Sequence, residues 1–420
     1  MRNRVVVTGM GVVSSNASNL EEFKDALIEG KSGIRHIQEL QELGFRCEVG
    51  GIAKISENEH YEKYDLRRAS NFIQLACVAG MEAWVNADLN IPDLDSSTVD
   101  WDTGIIIGTG YSGLDVVASK VVPLTNQHVN KRIGGYASIN IMGSGPSAYL
   151  SSIIGAGNLC TGTSNACSSG TDAIIAGFNR IKYGEAKRMV VGGTEGYSPY
   201  HWAPLDSLRV LNSQMNHSPQ FASRPMSDTA SGFVPSSGAG VLVLENYDLA
   251  KKRGATIIAE IVGCCSNSGG HRNGGTSTYP NNEGVVKCLN STIEMAAVNP
   301  KEIDLINAHL TATKADLNEL NNWCKVLDNR DFPYVNATKS LIGHGLGASG
   351  AIECIATLLQ MKHNFVHPSL NCEDINPEIE DLIPSNSIVR KTLHNTEINV
   401  AIKASFGFGD VNSAVVFKKV

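Results

Sequence analysis

No stretch of about 18 uninterrupted apolar residues occurs in the 420-residue sequence, so the pattern of a membrane-spanning helix is absent and no membrane role is expected. The ten cysteines, at 47, 77, 160, 167, 264, 265, 288, 324, 354 and 372, contain no CxxC pair. That spacing argues against a zinc site and against a disulfide framework, and it suits buried thiols in a reducing compartment. Positive charge is not in excess: the formal net charge is -7, so an acidic partner would have to meet a local basic patch, and nucleic acid is not expected. Low-complexity linkers are missing too. The opening MRNRVVVTGMGVV has two arginines and an apolar run, but it passes into polar SSNASN without a small-residue cleavage site. It reads as a first core strand and the protein as cytoplasmic.

What is present is an alternation of short apolar runs with amphipathic stretches, at 4–7, 103–107, 189–192, 240–244 and 257–262. This pattern predicts an α/β protein with strands buried between helices. The 41 glycines imply many tight turns. A charged stretch, LAKKRG at 249–254, precedes a new strand-like run, ATIIAEIVG, and divides the chain into halves of 1–250 and 251–420. Each half has a strand-like run leading into a small-residue turn and a helix, at Cys167 and again at His309. This parallel places both residues at strand-to-helix junctions, where open α/β sheets build their sites.

Residues 158–184 read NLCTGTSNACSSGTDAIIAGFNRIKYG. Ala173, Ile174, Phe178 and Ile181 follow helical spacing after Cys167, and Gly184 closes the run. Cys167 is therefore expected at a helix N-terminus, where free N–H groups and the positive end of the dipole favour a thiolate and lower the thiol pKa. Taken alone, the segment suits a packed core cysteine equally well.

Three further segments place polar groups directly after apolar runs. IDLINAHLTAT carries His309, Thr311 and Thr313; VNATKSLIGHGLGASGAIEC carries Lys339, His344 and Glu353; VAIKASFGFGDVNSAVVF has a glycine-interrupted turn. Decarboxylative carbon–carbon bond formation needs these groups: a thiolate to hold an acyl chain, N–H donors for the thioester oxyanion, and neutral imidazoles to stabilise an enolate.

NACSSG, NAHLTAT, KSLIGHGLGASG and SFGFGD stand in the order and at roughly the spacing found in beta-ketoacyl-acyl-carrier-protein synthases. The similarity extends to VVVTGMGVVSS, GGTE, RPMSDTASGF, GAGVLVLE and the closing VVFKKV. The sequence is most similar to the elongating types I and II, since the initiating type has an asparagine for the second histidine. The resemblance implies a five-layered αβαβα thiolase-like fold of two similar halves. It implies that Cys167 is the acylated nucleophile, that His309 and His344 promote malonyl decarboxylation, and that Lys339 and Glu353 form a supporting ion pair. The N–H groups of Cys167 and Phe408 would form the oxyanion hole, with Phe408 also a gate. Thr311 and Thr313 would contact the phosphopantetheine arm, Phe406 and Tyr111 would bind substrate, and Arg67 and Arg68 would receive the acidic carrier. It further implies a homodimer, or a heterodimer with a chain-length-factor-like homologue, with no metal and no tightly bound cofactor.

Departures from the family pattern fall around the site. Leu310 replaces a glycine, Ala315-Asp316 stands one position early for a Gly-Asp pair, and Asp410 replaces a glycine in the gating turn. Met226 to Ser231 lacks an arginine usual there. Tyr111 stands where a small or aliphatic residue shapes the acyl pocket, which favours a short, polar or conjugated chain and a specialised polyene or polyketide system as the alternative to fatty-acid elongation. A coenzyme A-dependent thiolase would carry a second cysteine where this chain has FGFGD. A non-catalytic chain-length subunit would lack Cys167.

Overall fold

The computed structural model describes residues 3–55, 59–93, 95–327 and 332–420. Val5–Val13 (β1) is buried at every position, as its run VVVTGMGVV requires. Gly9 and Gly11 lie so close to the helix Asn71–Asn86 (α1) that a Cβ would fall 2.2 Å from the Ala83 carbonyl oxygen and 2.0 Å from that of Ala79. The two glycines thus set how near the first helix packs on the sheet.

The remaining strands of the main sheet are Thr103–Gly108 (β2), Cys160–Thr161 (β3), Arg188–Glu195 (β4), Gly238–Asn246 (β5), Ala259–Ser268 (β6), Leu305–Asn307 (β7), Tyr334–Asn336 (β8), Val400–Gly407 (β9) and Val411–Lys418 (β10). They join in the order β8-β7-β9-β10-β6-β1-β5-β4-β2-β3. Outward from the middle, the strands of each half come in the same sequence: first, fifth, fourth, second, third. Directions match as well, with β4 parallel to β2 and β9 parallel to β7, each flanked by antiparallel neighbours. The halves meet where β1 pairs with β6 through Val5–Ile261, Val6–Glu260 and Val7–Ala259.

Two helices, Ser169–Lys182 (α2) and Ser349–His363 (α5), lie between the half-sheets, α2 on β4 and β2 and α5 on β5 and β9. On the outer faces sit α1 and, against β6 and β10, Asn282–Ala296 (α3), which in turn packs on Ala315–Val326 (α4). The result is five layers, αβαβα, the α/β architecture expected. Three apolar clusters fill it: Phe72, Leu75 and Ile105 on one side, Ile174, Phe178 and Ile352 in the centre, Leu289, Ile306 and Trp323 on the other. The central helices touch through glycine: a Cβ on Gly170 would lie 2.8 Å from the Gly347 carbonyl oxygen, and one on Gly350 2.1 Å from Thr171 Oγ1.

Cys167 and His309 both lie at strand-to-helix junctions, as expected, but the fold shows that they are not equivalent positions of the two halves. The segment β3-α2-β4 corresponds to β8-α5-β9, so the counterpart of the Cys167 turn is the turn before α5. Ala166 (φ 47°) and Leu346 (φ 44°) both enter a short 3-10 turn in left-handed conformation, which matches Cys167 with Gly347. His309 instead follows β7, the counterpart of β2. Strand order decides equivalence, and a similar apolar run before each residue does not reveal it.

Candidate active site

Cys167 is buried on the 3-10 turn Ala166–Ser168, just ahead of α2. The positive φ of Ala166 lifts the chain so that the thiol faces the end of β9 instead of packing behind it. Gly407 at that strand end eases the approach, since a Cβ there would sit a tight 3.1 Å from the Cys167 nitrogen and the Asn165 carbonyl oxygen. The backbone N–H groups of Phe408 and of Cys167 itself are directed at the sulfur.

His344 stands on the turn that joins Lys339–Ile342 to the second 3-10 turn. Its Nε2 is 3.1 Å from Cys167 Sγ, and its Nδ1 is 2.9 Å from Ser349 Oγ at the start of α5. His309, at the end of β7, lies edge-on to it with ring centroids 5.4 Å apart, and the three ligating atoms of Cys167, His309 and His344 fall within 4.8 Å of one another. Phe233 packs on the His344 ring and Phe406 on that of His309. Lys339 Nζ lies 3.3 Å from His309 Nδ1 and 2.5 Å from Glu353 Oε1. An ammonium there donates to Nδ1, which fixes the proton of a neutral His309 on Nε2.

Burial dominates the protonation of these groups. It pushes the Cys167 thiol up to about 11, against the opposing pull of Lys339 and of the two backbone N–H groups. This corrects the expectation of a lowered thiol pKa: desolvation outweighs the helix terminus. Burial, and next the positive charge of Lys339, hold both imidazoles well below their ordinary value. The resting site therefore pairs a neutral thiol with a neutral imidazole. A cysteine and two histidines are also zinc ligands, but the ammonium group at hydrogen-bond distance from His309 opposes a divalent cation.

The loop carrying His309 is held from below by two carboxylates of α4 that sequence reasoning assigned no role at the site. Glu319 accepts the N–H groups of His309 and Leu310, both at 2.7 Å, and Asp316 accepts those of Thr311 (2.8 Å), Ala312 (3.1 Å) and Met226 (3.0 Å). Burial raises Glu319 to about 7 and Asp316 to about 6. Leu310, in place of glycine, is fully buried among Leu320 and Trp323 and anchors the same loop. Lys403, also unassigned from sequence, is fully buried on β9 with Nζ 2.9 Å from Glu353 Oε2. A lysine inside the apolar run VAIKAS was its one visible signal.

A cavity of about 590 Å³ leads from Cys167, His309 and His344 past Phe406 and Phe408 to Thr311 and Thr313, whose hydroxyls are 3.0 Å apart. Exposed Arg209 and Lys314 line it and have no ion-pair partner among the described residues. Tyr111 does not line this cavity. It shares an apolar cluster with Cys167, Leu205 and Leu211 and stacks on buried His201 with centroids 5.9 Å apart. Asp410, at φ 59° in the turn after Phe408, is buried and accepts the N–H groups of His271 (2.9 Å) and Asn281 (2.8 Å), tying that turn to the loop that supplies Thr278 and Tyr279 to the cavity. Arg67 and Arg68 lie on a surface 3-10 turn, exposed and paired with Glu62 (2.5 Å) and Asp65 (2.8 Å).

Residues 2–250 match the family model for the beta-ketoacyl synthase N-terminal domain and residues 258–373 that for the C-terminal domain. The chain is 36% identical over 418 residues to 3-oxoacyl-[acyl-carrier-protein] synthase 1 of Buchnera aphidicola subsp. Acyrthosiphon pisum, covering 99% of each chain. It is 37% identical over 426 residues to the chloroplastic synthase I of Arabidopsis thaliana, covering 99% of this chain and 86% of the relative. Among solved structures, a beta-ketoacyl synthase from Burkholderia phymatum STM815 superposes with a TM-score of 0.89 at 26% identity. A type II polyketide ketosynthase in complex with its acyl-carrier protein (AntDE:AntF) superposes with a TM-score of 0.88 at 26% identity; both cover 100% of each chain. With matched models covering most of residues 2–373 and relatives alike over 99% of the chain, the protein belongs to the beta-ketoacyl synthase family and is an acyltransferase-class ketosynthase.

Proposed function

We propose that the protein elongates an acyl chain held as a thioester on Cys167 by decarboxylative condensation with a malonyl group delivered on an acyl carrier protein. The observation that carries this reading is the Cys167 Sγ to His344 Nε2 distance of 3.1 Å, with His309 beside it in a cavity of about 590 Å³ that also reaches Thr311 and Thr313. In the first half-reaction His344 takes the thiol proton as sulfur attacks the incoming thioester, and returns it to the departing carrier thiolate. In the second, the carbon–carboxylate bond of the malonyl group breaks, carbon dioxide leaves, and the Nε2–H of His309 donates to the enolate oxygen; His344 joins it after its single proton has passed from Nδ1 to Nε2, Ser349 Oγ turning from acceptor to donor at Nδ1. The enolate carbon attacks the Cys167 thioester, the N–H groups of Cys167 and Phe408 hold the oxyanion, and collapse frees the thiolate. Thr311 and Thr313 bind the arm and Phe406 and Phe408 the acyl group. The Lys339–Glu353 pair orders the imidazoles.

Incubation with acyl carrier followed by intact-mass spectrometry tests the reading. Cys167→Ala must abolish both the acyl adduct and ketoacyl product while keeping the circular dichroism spectrum. Product formed by that variant from malonyl carrier would refute it. The likeness to a type II polyketide ketosynthase supports a second reading of substrate, a short, polar or conjugated chain of the polyketide or polyene kind, and the adduct masses from a panel of carriers decide it.

The proposal includes a cytoplasmic homodimer. Leu114–Asn126 buries no side chain, Val122, Tyr136 and Met142 are exposed, and β3 ends the sheet with an open edge. Such surface suits a second copy of the chain or a chain-length-factor-like homologue. Light scattering of the purified protein separates these: a dimer of this chain alone supports the first.

A further inference from the structure

The Lys339–Glu353 pair is not isolated. Glu353 Oε1 is 2.5 Å from Lys339 Nζ and Oε2 is 2.9 Å from Lys403 Nζ, and all three side chains are at most 1% exposed. Lys403 donates also to Ser405 Oγ at 3.0 Å and to the Ala404 carbonyl, and Ser405 Oγ lies 2.9 Å from Thr171 Oγ1 on α2. The second lysine thus rests on the strand that leads into Phe408 and, through Ser405 and Thr171, on the helix that Cys167 precedes.

Among the described residues Glu353 is the one carboxylate within ion-pair distance of either lysine. Glu319 also acts on Lys339, from beyond ion-pair distance, but burial raises it to about 7, so it carries only part of a charge at neutral pH, and Asp316, raised to about 6, faces the Thr311 loop and Met226. The remaining titratable groups facing the trio are His309, His344, His367, Cys167 and Cys354, all neutral when burial governs them. Two ammonium groups against one carboxylate leave a positive charge without a partner. Burying such a charge is expensive and calls for a compensating anion.

We propose that Lys403 is a positioning residue that gives the two-histidine pocket one uncompensated positive charge, which keeps His309 and His344 neutral as donors and is offset by the carboxylate and then the enolate of the malonyl group. The proposal rests on the condensing reading above. It assigns the substrate's negative charge the role of third partner in the lysine–glutamate–lysine trio: the empty pocket is a positive hole, the malonyl carboxylate enters it, and the enolate retains the charge after carbon dioxide departs.

The test compares wild type, Lys403→Gln, which keeps donors to Ser405 and Ala404, and Lys403→Arg, which keeps the charge. Imidazole titration by histidine-labelled nuclear magnetic resonance on the folded proteins is independent of activity. Removing a buried charge at this range is expected to raise the His309 and His344 midpoints by about one pH unit in Lys403→Gln. In parallel, the acid limb of malonyl-carrier decarboxylation should move up by the same amount, and Lys403→Arg should restore both. Unmoved midpoints in a folded Lys403→Gln protein overturn the proposal, even if its melting temperature falls. Should Lys403→Gln not fold, Glu353→Gln must shift the same midpoints downward, and their constancy overturns it equally. A wild type that titrates as described yet never decarboxylates malonyl carrier would sink the condensing reading and leave the charge assignment standing.

Discussion

Asp410→Gly is the perturbation that most directly examines the turn beyond Phe408. Asp410 accepts two backbone N–H groups from the loop that carries His271 and Asn281, and hydrogen bonds to an ionised acceptor contribute about 1.5–3 kcal/mol each. Glycine relieves a left-handed backbone that costs an aspartate about 1 kcal/mol. The net loss is therefore about 3 kcal/mol, on the order of a hundredfold in the equilibrium for parting the two loops. Because the loss is confined to two surface-facing segments, it should show in hydrogen exchange before it shows in global melting. Amide exchange read by mass spectrometry should speed up on the order of a hundredfold across 269–281 and 407–411 and stay unchanged in β1 and β5. Acylation of Cys167 by long chains should become faster, since the turn next to Phe408 swings out at lower cost. Unaltered exchange of the Asn281 amide in the glycine variant would refute the latch.

Gly350→Ala places a methyl group 2.1 Å from Thr171 Oγ1 and should cost about 1–3 kcal/mol in urea unfolding, whereas Gly44→Ala, with nothing nearby but a φ of 74°, should cost about 1 kcal/mol. Burial lowers His367 to about 4, so the folded protein binds fewer protons than the unfolded chain between pH 4 and 6.5. Its contribution is full above 6.5 and declines as pH falls through 4; relative to His367→Asn, wild type should lose about 3 kcal/mol across that window, and a pH-independent difference would contradict it. Reversing Arg209 and Lys314 together should raise the apparent Michaelis constant for the acidic carrier at low salt. Reversing Arg67 and Arg68, already paired with Glu62 and Asp65, should raise it less; the opposite ranking would place the carrier elsewhere.

The strands were readable because β-branched runs such as VVVTGMGVV and VAIKASFG are buried on both faces, and a strand of that kind has no polar alternation to hide it. Cys167, His309, His344, Lys339 and Glu353 could be singled out because they stand after apolar runs in segments that resemble the family's motifs, and the fold brings the five side chains together. Glu319 and Asp316 were not assigned a part, since a carboxylate that accepts backbone N–H groups leaves no spacing in the sequence. Lys403 was passed over because one charge in a strand gives no hint of which carboxylate it meets fifty residues away. The direction of the Cys167 pKa was misjudged for a related reason: the helix terminus is local and visible, and the burial that outweighs it comes from β9, α5 and the turn at His344.

The placement of β1 has a consequence for how the chain folds. Val5 pairs with Asn246 on one side and Ile261 on the other, so the strand has no edge to join until that distant chain exists. At ribosomal speeds of about 5–20 residues per second, VVVTGMGVV waits roughly 10–50 s as an unpaired apolar segment. Contacts of such long sequence separation also slow the search itself. The middle of the finished sheet is thus its most chaperone-dependent part during synthesis, and changes that make Val5–Val13 more apolar should lower soluble yield without altering the folded enzyme.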